Sequence, residues 1–395
     1  MVRKVKKKHA QIADGEGQLI KLVRASDSIS RSQLAKAMRI SPSTVGIYVE
    51  RLIKEGFLFE SGKATVGRGR PRTVLSLNPD GGEFIGVDFY ADEILATAVN
   101  FAQVVVRQGR VRLGRRETAE STIAKLIEAI ESVFPSKRKN VFSIGVGCPG
   151  PVDTEACVAL DYPYIQGFSN VELVKPLQRK FRKPVYIENT ANAMALAELW
   201  FGDGRDLDSF AAIWDRAGVG AGVVINRQLY RGLGDGAGEI GHTRCPVVSP
   251  NQETKWTELD KVGSVRAVLA TIESQLRKRQ SSMLSTAQRP LRAESVVEAF
   301  QAGDRLAKQA VDEAVQHLGW ALAHFTFALS PEAIILGGPF TVLQSELIKP
   351  TRKVMRGLLA GTGLRLPRLL CSRLGPFGGA LGAAALAVDN WKPER

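Results

Sequence analysis

The sequence predicts an α/β body preceded by a small winged helix-turn-helix domain. Residues 1–80 carry short helical patterns followed by two β-rich runs around an arginine-rich tip. From about residue 81, Val- and Ile-rich runs bounded by glycine alternate with longer helical patterns, as in a mixed sheet with helices on its faces. The charge divides at the same place. Residues 1–80 hold 16 Lys and Arg against 7 Asp and Glu, a net of +9 out of +14 for the whole 395-residue chain.

Length and composition bound the function classes. A chain of 395 residues is long for one core and calls for more than one domain. Apolar residues make up 44%, too many for a disordered chain, and no apolar run approaches the ~20 residues that cross a bilayer. The basic start, MVRKVKKKHAQIADG, has no apolar stretch behind it, so no secretory signal is expected. Cys148, Cys157, Cys245 and Cys371 are widely spaced and form no CxxC pair. That usage fits free thiols in a reducing cytoplasm. A basic front on a nearly balanced body points to an anionic polymer as partner, although a solvated tail would account for the RKVKKK run taken alone.

In the front domain, GEGQLIKLVRAS puts Leu19, Ile20, Leu22 and Val23 on one face. SRSQLAKAM opens on Ser30 as N-cap and buries Leu34, Ala35 and Met38. ISPSTVGIYVERLIKEGFL opens on Ser41 as N-cap with Pro42 at the first helical position, and Val45, Val49, Leu52 and Ile53 repeat at helical spacing. The tight Arg39-Ile40 link between the second and third helices makes a helix-turn-helix, whose third helix would enter the major groove of double-stranded DNA. Ser43, Thr44, Tyr48 and Arg51 are expected on its exposed side as DNA contacts. The following run, FLFESGKATVGRGRPRTVLSLNP, reads as a wing, with Arg68, Arg70 and Arg72 on a tip suited to the minor groove. Three small structural helices with a basic loop would be the bland alternative. Caps, wing and charge together favour DNA.

NPDGGEF is a turn-rich junction, and the body opens with the strand FIGVDFY. Strands ILATAVNF and VVVRQGRVRLG follow, then the helix TIAKLIEAIESVF and the buried-looking strand VFSIGVGCPGPVD. PVYI is a strand running into the helix ANAMALAELW. FAAIWDRAGVGAGVVINRQLYRG reads as two strands joined by a Gly-rich turn, PEAIILGGPF as strand and Gly-Gly, and GPFGGALGAAALAV as a small-residue helix.

In that order, CPGPVD, ENTANAMALAE, GVGAGVVINRQLYRG…GAGEIGH and ILGG resemble the ROK family, named for repressor, open reading frame and kinase. The resemblance runs from about residue 12 to 388. It implies a two-lobed actin/hexokinase-like body with sugar bound in the cleft. Lobe one would span about 81–197 plus a C-terminal helix at about 376–390, and lobe two about 198–375. The joined front domain resembles that of the family's sugar-responsive transcriptional repressors.

Against the family's kinase site, this sequence has losses. The family's Asp-x-Gly-Gly-Thr phosphate turn is matched by Asp88-Phe89-Tyr90-Ala91-Asp92, which keeps only the first Asp. Bulk and negative charge there oppose phosphate binding. The second phosphate turn, from Ala217 to Gly222, keeps its glycines but has Ala217 for the family's Thr. The family's catalytic aspartate is matched by Thr190 in ENTAN. A threonine hydroxyl is no base near neutral pH, and losing a positioned base costs roughly 10²–10⁴-fold. No catalytic residue, and so no enzyme, is expected.

The sugar side looks intact. Asn189, Glu239, His242 and Glu258 match the family's sugar-binding positions and are the expected effector contacts. Amide, carboxylate and imidazole groups suit vicinal hydroxyls. They could instead only stitch a loop together. DYPYIQGFSN is expected to border the pocket, with Phe168 where the family often has Trp. Many members of the family hold zinc with the His of GH and three cysteines. Here His242 is followed by one nearby cysteine, Cys245, and Trp256 stands where the last would be, so neither zinc nor any cofactor is expected. The loop is expected to be held by packing around Trp256. The predicted function is a DNA-binding repressor of carbohydrate genes, a homodimer on an inverted-repeat operator, with a sugar-sensing, catalytically dead cleft and no membrane association. A sugar kinase with an added DNA-binding domain is the alternative, and a ligand-free dimerisation scaffold a third.

Overall fold

The computed structural model describes residues 15–393 except 27, 65–71, 91, 115, 137–139, 217 and 249–252. The front domain begins with α1, described over residues 15–24, followed by β1 (Ile29–Ser30), α2 (Arg31–Met38) and α3 (Pro42–Lys54). The caps read from sequence are formed: Ser30 closes a capping box with Gln33, and the Ser41 hydroxyl accepts the Thr44 N–H. Arg39, in the left-handed conformation, turns the chain between α2 and α3. The wing is β2 (Leu58–Ala64) paired antiparallel with β3 (Arg72–Leu77), in a sheet of order β1-β3-β2. Arg68 and Arg70 lie outside the described residues; Arg72 begins β3, and its side chain is not described.

The body's first sheet contains β4 (Glu83–Phe89), β5 (Glu93–Asn100), β6 (Val105–Arg112), β7 (Val141–Cys148) and β11 (Val185–Asn189), in the order β11-β7-β4-β5-β6. Helix α4 (Ala119–Ser132) connects β6 to β7. A small sheet of β8 (Val152–Asp153), β9 (Val158–Asp161) and β10 (Ser169–Glu172), then α5 (Val174–Phe181), lead to β11. The strand read as VFSIGVGCPGPVD is thus two, broken at Pro149-Gly150. Helix α6 (Thr190–Phe201) carries the chain to a second sheet of β12 (Phe210–Asp215), β13 (Val219–Ile225), β14 (Gln228–Tyr230), β17 (Ala333–Gly337) and β18 (Arg368–Cys371), ordered β14-β13-β12-β17-β18. The run read as two strands therefore contains three. Between β14 and β17 lie the hairpin β15 (Arg244–Val248) and β16 (Thr254–Glu258), then α7 (Leu259–Val262), α8 (Val265–Arg277), α9 (Ala293–Gln301) and α10 (Arg305–Leu329). Helix α11 (Ser345–Leu359) precedes β18, and α12 (Gly378–Asn390) ends the fold against the first sheet.

Small residues let α12 sit deep. It is buried from Gly378 to Val388, against α6, β4 and β7. A Cβ at Gly382 would run into the Ala193 carbonyl of α6, so the two backbones touch directly. The front domain shares a core with this region. Leu19, Val45 and Leu52 belong to one cluster with Phe84, Phe101, Leu381 and Val388. Phe57, just past α3, stacks on Phe101 at 5.1 Å between ring centres and meets Trp391 edge-on at 5.1 Å. Arg24 of α1 is buried at this seam, over the Trp200 ring and in the field of Asp389.

Candidate functional site

A cleft of about 340 Å³ opens between the two sheets. Its first wall comes from the break after β7 (Pro149, Gly150, Pro151), the segment after β9 (Tyr162, Tyr164) and the β11–α6 junction. Its second wall comes from the β12–β13 turn, Asp235, Glu239, His242 and Asp260. A strand end feeding a helix start positions Asn189 and Thr190 here. The Asn189 side chain is the N-cap of α6, its Oδ1 accepting the Ala191 N–H at 2.8 Å while its Nδ2 donates to the Gly150 carbonyl at 2.6 Å. One Nδ2 hydrogen and one lone pair are left for a ligand.

Thr190 is buried, and its hydroxyl donates to Asp88 Oδ1 at 2.8 Å. Burial pushes the Asp88 carboxyl up to about 6, against the pull of that hydrogen bond. Thr190, expected at the family's base position, is therefore tied to Asp88.

Tyr90, the next bulky group of that turn, is also buried, and Arg216 from the other wall stacks on its ring at 3.8 Å. The Arg216 guanidinium also pairs with Glu93, which Arg110 holds from its other side at 3.3 Å. Burial by itself would lower the Arg216 pKa, but Tyr90, Glu93 and Asp92 raise it, so the cation is fixed. Two further contacts cross between the walls. Thr154 donates through N–H and hydroxyl to Asp235 Oδ2 at 3.0 and 2.8 Å, and Arg231 reaches the buried Glu188 at 2.8 Å.

The expected effector contacts are only partly brought together. Asn189, Glu239 and His242 line the cleft. Glu239 stays open to solvent at the cleft rim; partial desolvation of its carboxyl raises it, His242 pulls it back down, and Asp260 adds a smaller rise. Glu258 is not among the described lining residues. It pairs with Lys261 at 2.9 Å and lies 3.8 Å from His242 Nδ1. Asp260, two residues on, takes the place in the wall and accepts the Val219 N–H at 2.7 Å. Sequence reading also missed Arg216. Arg216 directly precedes the Gly-rich turn, and its side chain could have been weighed with it. Asp161, Tyr162, Pro163 and Tyr164 do border the cleft, whereas Phe168 is buried against Phe89 at 5.5 Å.

The loop after His242 is the β15–β16 hairpin, held by its backbone pairing. Trp256 does not anchor it from within: the ring is 58% exposed and leans edge-on against Trp320 at 6.0 Å. Cys245 is fully buried. Among the described residues no group of three or more His, Cys, Asp and Glu side chains is placed to hold a metal ion.

On α3, Ser43 is exposed and Thr44 partly so, and both hydroxyls bond to that of Ser41 at 2.8 and 2.7 Å. Tyr48 is not on the outer face. It is 7% exposed and packs over Gly15, since its position falls beside Val45, Val49 and Leu52 on the helix. Arg51 is drawn sideways into ion pairs with Glu55 at 2.9 Å and with the buried Glu16 of α1 at 3.5 Å. The outer face instead presents Ser43, Ile47, Glu50 and Lys54.

A winged helix-turn-helix packed on a two-lobed, actin/hexokinase-like body defines the class of molecule. The chain belongs to the ROK family, whose profile matches residues 84–390, and a winged helix-turn-helix DNA-binding profile matches residues 16–58. It is 28% identical over 348 residues to the xylose repressor of Caldicellulosiruptor bescii, covering 85% of this chain and 86% of that protein. It is 31% identical over 280 residues to the glucokinase of Thermotoga maritima, covering 69% of this chain and 86% of the enzyme. The crystal structure of a ROK family transcriptional regulator, a homologue of the Escherichia coli Mlc protein, superposes with a TM-score of 0.78 over 96% of each chain at 23% identity, a likeness of fold. No described helix is long and apolar enough to cross a membrane.

Proposed function

We propose that this chain is a DNA-binding transcriptional repressor of carbohydrate genes whose cleft binds a sugar or sugar derivative without phosphorylating it. The DNA-binding profile, the formed helix-turn-helix and wing, and the similarity to a xylose repressor along most of both chains support the regulatory half. The observation that carries the non-catalytic half is Arg216 stacked on Tyr90 and paired with Glu93 across the cleft. Phosphoryl transfer needs a phosphate cradle of free backbone amides and a base aimed at the sugar hydroxyl. Here an ion-paired guanidinium and a phenol ring fill the cradle, and the Thr190 hydroxyl is committed to Asp88. Asn189, Glu239, His242 and Asp260 remain as ligands for sugar hydroxyls, with Tyr162 and Tyr164 as ring faces. The chain acts in the cytoplasm as a homodimer, because two-fold symmetric readers take inverted-repeat operators.

A coupled assay with ATP and a panel of pentoses, hexoses and amino sugars tests the non-catalytic half. The expected result is no phosphorylation above background for the wild type, and none for Thr190→Asp, whose new carboxylate meets Asp88 rather than a sugar hydroxyl. Sugar-dependent turnover that Glu239→Gln abolishes would establish the kinase reading, which the glucokinase similarity makes the natural rival.

A further inference from the structure

The outer face of α3 is unusual for a surface that meets DNA. Of its four outward positions, Ser43 is hydrogen-bonded to Ser41, and Glu50 faces Arg31 at 3.5 Å. Lys54 sits at the last helical position, suited to a phosphate. Ile47, at the centre, is 66% exposed, the most exposed large hydrophobic side chain among the front domain's described residues. It stands next to Gly46, which adds no side chain and has open space before it. The nearest exposed side chains along the face are therefore small or tied down, and Ile47 projects beyond them.

Resting on the DNA-binding reading above, we infer that Ile47 is a specificity residue that reads a thymine through its 5-methyl group in the major groove. Base edges in that groove present hydrogen-bond donors and acceptors, plus a single apolar group, the thymine methyl. A β-branched aliphatic side chain can satisfy no donor or acceptor. Set against adenine, guanine or cytosine edges it strips water from polar groups and returns nothing. Against the methyl it buries apolar surface on both sides. Its place favours DNA over a second copy of the chain as the covering partner. It lies one turn into the second helix of the helix-turn-helix, the part that enters the groove, within a domain of net charge +9. The turning away of Tyr48 and Arg51 leaves it as the longest uncommitted side chain in the middle of that face.

Selection from a random-sequence duplex pool by the full-length chain defines the operator. Each thymine is then replaced singly by deoxyuridine, which removes only the 5-methyl. The wild type should weaken roughly fourfold at one thymine per half-site, the effect of burying about one methyl group. Ile47→Ala should bind the thymine and uracil duplexes equally, and Ile47→Val should keep the discrimination. Because the side chain is exposed, neither variant should lose stability. An operator with no methyl-sensitive thymine, or an Ile47→Ala variant as methyl-sensitive as the wild type, overturns the inference. A changed oligomeric state in Ile47→Ala with no methyl effect would assign the side chain to a second copy and overturn it as well. A pool yielding no preferred sequence would instead defeat the DNA-binding reading, and the inference with it.

Discussion

Asp215 ends β12 largely buried, with both carboxylate oxygens accepting the Val265 N–H at 2.9 and 3.0 Å. Burial pushes its carboxyl up to about 8 from an ordinary 3.8, with Asp260 adding to the rise. Since the folded state holds its proton more tightly, this group's contribution to stability is full below about pH 4 and is lost as pH rises to about 8. Each unit of elevation is worth about 1.4 kcal/mol. Asp215→Asn should therefore flatten the fall in stability between those limits, as read by urea unfolding at pH 5 and pH 8. An unchanged slope would show that the group ionises freely in the fold. Asp215 and Arg216 went unread in the sequence for one reason. Both flank a Gly-rich turn whose glycines drew attention, and nothing local announces that the first is buried and the second reaches across to Tyr90. Glu258 was placed in the wall by motif alone. Asp260, in α7 two residues past the end of β16, lines the cleft where Glu258 does not.

At the scale of elements, α3 separates what periodicity reveals from what it hides. The cap at Ser41, the proline at the first position and the buried Val45, Val49 and Leu52 were all legible, since each follows from local rules. Tyr48 was misread because an amphipathic side chain on the margin of an apolar stripe goes wherever tertiary contacts admit it, here over Gly15 of α1. Arg51 was read as facing outward because one of its partners, Glu16, comes from another helix. Arg51→Ala should accordingly lower stability modestly, through loss of its pairs with Glu16 and Glu55, and leave the salt dependence of DNA binding unchanged. A true phosphate contact would lower the slope of log affinity against log salt by about one. Measuring that slope for wild type and variant decides between the two roles. The two sheets and the α6–α12 contact were only partly legible. Glycines in GPFGGALGAAALAV promised close packing, but the site of contact, Gly382 against Ala193, depends on distant chain.

At the scale of the molecule, the DNA-reading domain is built onto the body. Phe57, Phe84, Phe101, Phe142 and Trp391 form a continuous aromatic seam, and Arg24 is buried beside Asp389 and Trp200. Helix α6 starts at the cleft with Asn189 and Thr190 and ends at Trp200 and Phe201, against this seam. Its tight contact with α12, which leads to Asp389 and Trp391, gives two packed elements that both touch the cleft side and the DNA-binding side. A ligand that alters the wall-to-wall pairs Arg216–Glu93, Arg231–Glu188 and Thr154–Asp235 thus has a route to the recognition helix, provided it binds the two arrangements unequally. The central claim is that one chain couples sugar binding to DNA binding. It is tested most directly by the Kd of the full-length protein for its selected operator, with and without each sugar of the panel, for wild type and Glu239→Gln. The account predicts that at least one sugar changes the wild-type Kd by about 5–150-fold, the range of ordinary allosteric coupling, and that Glu239→Gln removes most of the change. Operator affinity that no sugar alters, from a protein whose melting temperature no sugar raises, would contradict it.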